Sequence, residues 1–289
     1  MKKILVTGAN SYVGTSFIKW LSQYPDKYSF DSISLRDDRW KESSFKGYDV
    51  VLHTVGIAHV DSNPDPKMEQ QYYKVNRDLT IETAQKAKDE GVKQFIFLSS
   101  IIVYGDSSQI NKPRIIDVKT VPKPANFYGN SKLLAEEGIK QLASDKFKVA
   151  IIRPPMIYGK ESKGNYPKLA KVARKLPIFP NIENQRSMIY IDNLCEFIRL
   201  LVDSKDSGLF FPQNAEYVKT SELVKMIAEA HGNKIRLTKF FNPIIYAMGR
   251  RIGMVNKVFG SLVYDQGLSN YKDNYTIRNF NDSIRETEL

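Results

Sequence analysis

Short apolar runs recur through the first half of the chain, separated by amphipathic stretches. Residues 3–7 (Lys-Ile-Leu-Val-Thr) predict a buried first strand, and Tyr12 to about Tyr24 predicts a helix with Val13, Phe17, Trp20 and Leu21 on one face. Ser32–Leu35 predicts a short second strand, Asp49–Thr54 a third and Gln94–Ser99 a fourth, with one long helix around residues 67–90 between the last two. A helix carrying Tyr128 and Lys132 runs to about Leu142, and Val149–Ile152 predicts a fifth strand. Strands that alternate with helices imply an α/β fold with a doubly wound parallel sheet. After Arg153-Pro-Pro155 the rhythm becomes irregular, with helices expected at 165–175, 192–203, 220–231 and 243–258.

Composition narrows the class. The chain has 289 residues, 42% of them hydrophobic, with no run near the roughly 20 apolar residues of a membrane span. The glycine turn follows the first residues too closely for a signal-peptide apolar region. A lone cysteine, Cys195, excludes an intramolecular disulfide framework and fits a reducing compartment, so a cytoplasmic location is expected. The formal net charge is +11, but no long Lys/Arg block occurs and acidic residues are interspersed. That pattern favours a basic surface serving an anionic small substrate over a nucleic-acid partner. The amphipathic segment Asn242–Phe259, with Arg250, Arg251 and Lys257, reads either as a cap helix or as a helix lying on anionic lipid.

The chemistry begins at Ile4-Leu-Val-Thr-Gly8-Ala-Asn-Ser11-Tyr-Val-Gly14, a strand running into a glycine-bearing turn and a helix. It matches a Gly-x-x-Gly-x-x-Gly dinucleotide fingerprint except at Ser11, where the middle glycine is missing. Gly8 would permit the tight turn and Gly14 the close helix–sheet packing. The amides of Asn10, Ser11, Tyr12 and Val13 would face a pyrophosphate, with the Ser11 hydroxyl able to join them. Leu35-Arg36-Asp37-Asp38 follows the second strand. Arg36 at the ribose-reading position favours NADP, and Asp37 there favours NAD; NADP is the favoured expectation. Tyr128 and Lys132 lie one helical turn apart, and Ser99-Ser100 ends the apolar run before them. Lys132 is expected to stabilise the Tyr128 phenolate and lower its pKa, while Ser100 bonds the same substrate oxygen. His53 and His59 lack the cluster a metal needs, so no metal is expected. Cys195 falls on an apolar face and reads as core.

Val51-Leu-His-Thr-Val55-Gly56, Asn76 in the long helix, Arg153-Pro154-Pro-Met156-Ile-Tyr-Gly159 and Arg186-Ser-Met-Ile-Tyr-Ile-Asp192 complete the pattern. In this order and spacing the sequence resembles the extended short-chain dehydrogenase/reductase family, specifically its nucleotide-sugar epimerase/dehydratase group. The resemblance covers roughly residues 3–200. It implies a Rossmann-like dinucleotide-binding domain over 1–155, continued in part around 186–203, with 156–289 mainly a smaller substrate-binding cap. It implies cofactor contacts from Val55, Gly56, Asn76 and Pro154 besides the opening turn, Tyr128 and Lys132. It implies substrate contacts from Asn165, from Phe179 in Leu176-Pro-Ile-Phe179 along a uracil, and from Arg186 at the diphosphate, although Arg186 could instead make a structural salt bridge to Asp192. Met156 replaces an asparagine seen in galactose epimerases.

The nearest group within that family reduces a UDP-linked 4-keto-6-deoxy-N-acetylhexosamine for capsule or O-antigen, so a UDP-sugar substrate is expected. The rivals are a UDP-sugar 4-epimerase with tightly held NAD, and a non-catalytic NAD(P)-sensing or RNA-binding module. Ile101 and Ile102 after the serine cannot transfer protons, which disfavours a 4,6-dehydratase. A homodimer is compatible with the pattern.

Overall fold

The computed structural model describes residues 1–8, 10–58, 66–105, 110, 112–249 and 253–289. These cluster into two compact units. The first comprises Met1–Gly105, Pro122–Pro154 and Leu194–Phe211, and the second Asp106–Val121, Pro155–Asn193 and Pro212–Leu289.

Six parallel strands form the sheet of the first unit, in the order Gly208–Phe210, Lys148–Ile152, Gln94–Leu98, Val50–His53, Lys2–Thr7, Tyr28–Ile33. Its central members are buried on both faces (Ile4 to Val6, Val50 to Leu52, Phe95 to Phe97), as strands covered by helices on either side must be. Leu5, Val51, Phe95 and Ile151 pack in one core with Ala84, Ala87, Ala135 and Ile139 from two helices. The chain leaves Lys2–Thr7 toward one edge and returns on its other side at Val50–His53. This reversal makes a crevice beyond the carboxyl ends of those two strands, the usual ligand position in open α/β sheets.

Two expectations within the first unit need correction. The second strand is Tyr28–Ile33, not Ser32–Leu35, because its register runs from Lys2↔Tyr28 to Thr7↔Ile33 and pairing ends when the first strand ends. Leu35 is buried beyond it as a core residue, which explains the misleading alternation. The long helix at 67–90 is three segments: α-helix Pro66–Tyr72, π-helix Tyr73–Asp78 and α-helix Leu79–Asp89. The π segment carries Asn76, whose side chain is fully buried.

His53 is a core residue. Its ring nitrogens meet Thr7 Oγ1 at 2.9 Å and Thr80 Oγ1 at 3.1 Å, and burial pushes its pKa down to about 3. Cys195 is likewise buried. His59 lies outside the described residues, among which no group of three or more His, Cys, Asp or Glu is placed to hold a metal ion.

The second unit contains three parallel strand pairs: Met156–Tyr158 with Met188–Tyr190, Ile115–Ile116 with Val263–Tyr264, and Ile178–Pro180 with Arg236–Thr238. Helices cover Asn165–Ala173, Thr220–Ala230 and Phe280–Glu288. The helix expected at 243–258 is two helices, Asn242–Gly249 and Gly253–Phe259.

Candidate active site

The opening turn depends on two glycines. Gly8 has φ +90°, and a Cβ there would lie 2.9 Å from Thr54 Oγ1. A Cβ on Gly14 would meet Ser11 Oγ at 2.6 Å and Thr54 Oγ1 at 2.9 Å. Ser11 is the N-cap of helix Tyr12–Leu21, and its Oγ accepts from the Gly14 amide at 3.0 Å. Ser11 Oγ also lies 2.6 Å from Thr54 Oγ1, while Thr54 Oγ1 donates to the Thr7 carbonyl at 2.7 Å. A hydroxyl has one proton. Thr54 gives its proton to Thr7, so Ser11 gives its own to Thr54. The Ser11 hydroxyl therefore ties the turn to the strand end, and the Ser11 amide donates to the Gly8 carbonyl at 2.8 Å. Asn10 is exposed, Tyr12 half-buried and Val13 buried in the same turn.

Past the second strand, Asp37 caps a short turn and is held by Arg39, whose Nη2 and Nε lie at 2.7 and 3.1 Å from its two carboxylate oxygens. Arg39 thereby keeps the Asp37 carboxyl below its usual pKa. Arg36 is exposed beside it, three residues after the strand ends.

Ser100 follows the fourth strand. Ser99 N–H bonds the Ile152 carbonyl at 2.7 Å and Ile101 N–H the Pro154 carbonyl at 3.0 Å, so ladder-like bonds flank Ser100 and hold it at the sheet end. Its Oγ accepts from Ile102 N–H at 3.3 Å and acts on the Tyr128 phenol, lowering its pKa against the effect of burial. Helix Phe127–Lys140 can approach because residue 129 is glycine: a Cβ there would lie 2.8 Å from the Ile102 carbonyl oxygen. Asn126 caps the helix, accepting from Gly129 N–H at 2.9 Å.

Lys132 is buried. Its ammonium donates to the Leu98 carbonyl at 3.0 Å and sits 4.7 Å from the Phe97 ring centroid. A Cβ on Gly56 would come within 2.9 Å of that nitrogen and 3.1 Å of Asn76 Oδ1, so a side chain there would push the lysine tip aside. Val55, beside it, packs close to Gly8. Asn76 accepts from Ile57 N–H at 2.8 Å and donates to the Ile57 carbonyl and to Ser131 Oγ, both at 3.1 Å. Its amide thus ties the Ile57 backbone to helix Phe127–Lys140 through Ser131.

The electrostatics differ from expectation. Burial raises the Tyr128 phenol to about 12, with the Ser100 hydrogen bond opposing, so the phenol holds its proton at neutral pH. Burial lowers Lys132 to about 8, and Glu136 opposes that fall. The causes that set the phenol are burial, which raises it most, Ser100, which lowers it, and Tyr72, which raises it.

A charged network behind this site was not anticipated. Glu136, fully buried, accepts two bonds from Arg153, Nε to Oε1 at 2.9 Å and Nη2 to Oε2 at 2.6 Å, and a third from Ser99 Oγ. Arg153 also donates to the Tyr104 hydroxyl at 2.6 Å. The signal was present: Glu136 follows Lys132 by four residues as Lys132 follows Tyr128, so all three share one helix face. Thr54 and Gly129 had no comparable signal.

The expected substrate contacts belong to the second unit. Asn165 is exposed and opens its helix after Gly164, whose φ is +97°. Phe179 is buried, its ring 5.7 Å from that of Phe259. The Arg186 guanidinium donates to the Lys257 carbonyl and, at 3.3 Å, to the Val258 carbonyl, at the end of helix Gly253–Phe259. Burial holds its pKa down at about 10. These bonds tie the Arg186 side chain to the end of that helix. Pro154 is buried in the first unit, where its carbonyl serves Ile101.

A profile of the NAD dependent epimerase/dehydratase family matches residues 4–210. A UDP-glucose 4-epimerase from Vibrio cholerae is 32% identical over 250 residues, covering 79% of this chain and 76% of that one. The N-acetyl-α-D-glucosaminyl-diphospho-ditrans,octacis-undecaprenol 4-epimerase of Escherichia coli O157:H7 is 27% identical over 278 residues, 89% of this chain and 81% of the relative. A UDP-2-acetamido-2,6-β-L-arabino-hexul-4-ose reductase from Pseudomonas aeruginosa is 25% identical over 247 residues, 82% of this chain and 59% of the relative. Among solved structures, a dTDP-4-dehydrorhamnose reductase from Clostridium acetobutylicum superposes with a TM-score of 0.74 over 99% of this chain and 98% of its own, at 17% identity, a likeness of fold.

Proposed function

Because the chain belongs to the NAD-dependent epimerase/dehydratase family, and is thereby an NAD(P)-dependent enzyme, we propose that it is a 4-epimerase of an N-acetylhexosamine carried on a diphosphate, such as a UDP-sugar, in surface-polysaccharide assembly. The observation that carries the proposal is the buried Lys132 one turn along helix Phe127–Lys140 from Tyr128, with Ser100 at the end of the fourth strand acting on the Tyr128 phenol. Gly8, Gly14 and the start of helix Tyr12–Leu21 suit a dinucleotide pyrophosphate, and Gly56, close to the Lys132 ammonium, suits a ribose. The nicotinamide, when bound, supplies hydride transfer. Tyr128 exchanges a proton with the sugar C4 oxygen, and Ser100 hydrogen-bonds that oxygen. A phenol that keeps its proton at neutral pH is set for the reductive half of such a cycle. Epimerisation, rather than net reduction, is supported by the 4-epimerases of Vibrio and Escherichia, 32% and 27% identical to this chain, against 25% for the Pseudomonas reductase.

A second reading has its own support. Arg36 is exposed past the second strand while Asp37 is engaged by Arg39, which favours a 2′-phosphate and hence exchangeable NADPH. That suits reduction of a UDP-linked 4-keto-6-deoxy-N-acetylhexosamine, as in the Pseudomonas relative. Incubating the purified protein with UDP-N-acetylglucosamine, without added cofactor, and resolving the C4 epimers decides. Epimer formation supports the first reading. Consumption of NADPH with a 4-keto sugar and no epimerisation supports the second. Neither activity would refute both.

A further inference from the structure

Between Glu229 and Asp265 the sequence has no acidic residue, yet it holds Lys234, Arg236, Lys239, Arg250, Arg251 and Lys257. That single stretch carries +6 of a chain total of +11. It also concentrates exposed apolar side chains. Phe240 is 79% exposed, Phe241 41%, Ile244 60% and Met248 40%, all within nine consecutive residues. Ile244 and Met248 are four apart on helix Asn242–Gly249, which has no charged side chain of its own, and Phe240 stands one turn before Ile244. They form one apolar stripe.

The opposite face anchors the helix within the second unit. Asn242 and Gly249 are buried, Asn242 Nδ2 donates to the Asn181 carbonyl at 2.9 Å, and Asn256 Nδ2 donates to the Gly249 carbonyl at 2.7 Å. The stripe is therefore presented outward by a fixed helix, with Arg236, Lys239 and Lys257 exposed in the chain on either side of it.

We propose that Lys239–Met248 is a membrane-docking face that lies on an anionic lipid bilayer. Phenylalanine, isoleucine and methionine enter the headgroup–acyl boundary, and the flanking bases meet lipid phosphates. Among the described residues no helix is long and apolar enough to cross a membrane, so the contact is peripheral. A second copy of the chain fits the face less well, because a two-fold interface sets the patch against itself and opposes like charges. The proposal is independent of the reaction assigned above, since lipid binding needs no turnover.

The test uses the full chain, sedimented with vesicles of phosphatidylcholine containing phosphatidylglycerol and with vesicles of phosphatidylcholine alone. The wild type is expected to pellet with the anionic vesicles, and to do so less as salt rises. Each basic side chain near the surface contributes roughly fivefold to partitioning. Phe240→Glu with Ile244→Glu is expected to reduce the bound fraction by at least about tenfold, and the charge variant Arg236→Glu with Lys239→Glu to lose the preference for anionic vesicles. Matching thermal melts establish that these exposed positions leave the fold intact. Wild-type protein left in the supernatant overturns the proposal, as does undiminished binding by the folded Phe240→Glu/Ile244→Glu variant. A concentration-dependent dimer abolished by that variant, with no vesicle binding, assigns the face to a second copy and also overturns it.

Discussion

Glu136→Gln separates what the buried network does for stability from what it does for the candidate active site. The substitution keeps the side-chain shape and removes one charge. Arg153, 2% exposed, then retains its cation without the carboxylate that takes two of its N–H groups. Breaking a buried pair by removing one partner costs about 3–5 kcal/mol. At about 2–4 °C per kcal/mol for a chain of this class, the melting temperature should fall by roughly 6–20 °C. The second effect is electrostatic. Glu136 opposes the burial that lowers Lys132 to about 8, so its loss lowers Lys132 further. An ammonium is present below its pKa and lost above it. The alkaline limb of kcat/KM should therefore move to lower pH, while the acid limb stays. Thermal melts and pH profiles of wild type and variant supply both numbers. A melting temperature within 2 °C of wild type would show that the pair is worth far less than roughly 3–5 kcal/mol. An alkaline limb that stays in place would show that Glu136 does not act on Lys132.

Four further expectations follow from single contacts. Tyr128→Phe should lower kcat on the order of 10²–10⁴-fold with NAD(P) affinity retained, measured by turnover and cofactor titration; near wild-type turnover removes the phenol from the mechanism. Gly129→Ala places a methyl group 2.8 Å from the Ile102 carbonyl oxygen, so it should cost roughly 1–3 kcal/mol and lower kcat more than cofactor affinity as Tyr128 is displaced from Ser100. Ser11→Ala should cost about 1 kcal/mol through the lost cap yet leave NAD(P) affinity nearly unchanged, and a selective loss of affinity would put the hydroxyl on a phosphate after all. Arg36→Ala should weaken NADPH binding by about ten- to a hundredfold, the equivalent of roughly 1.5–3 kcal/mol, and leave NADH nearly unaffected; a wild type that prefers NADH contradicts this.

The sequence alone carried the elements whose cause is local. Each central strand is a continuous apolar run because both its faces are covered, Gly8 answers the positive φ of its own turn, and Gly14 answers Ser11 Oγ three residues back. Tyr128 and Lys132 were visible together because one helical turn separates them, and Glu136 could have been seen by the same spacing. Tertiary structure decided what depends on partners distant in the chain. Ser11 Oγ is hydrogen-bonded to Thr54 Oγ1 across 43 residues of sequence, a tie that the turn motif by itself does not reveal. The second strand ends at Ile33 because its partner ends at Thr7, a limit that alternation within 32–35 cannot reveal. Arg186 serves carbonyls 71 and 72 residues away. The pKa of Tyr128 belongs to the same class: spacing predicted a fall from Lys132, but desolvation is a property of the assembled interior, and there it raises the phenol instead.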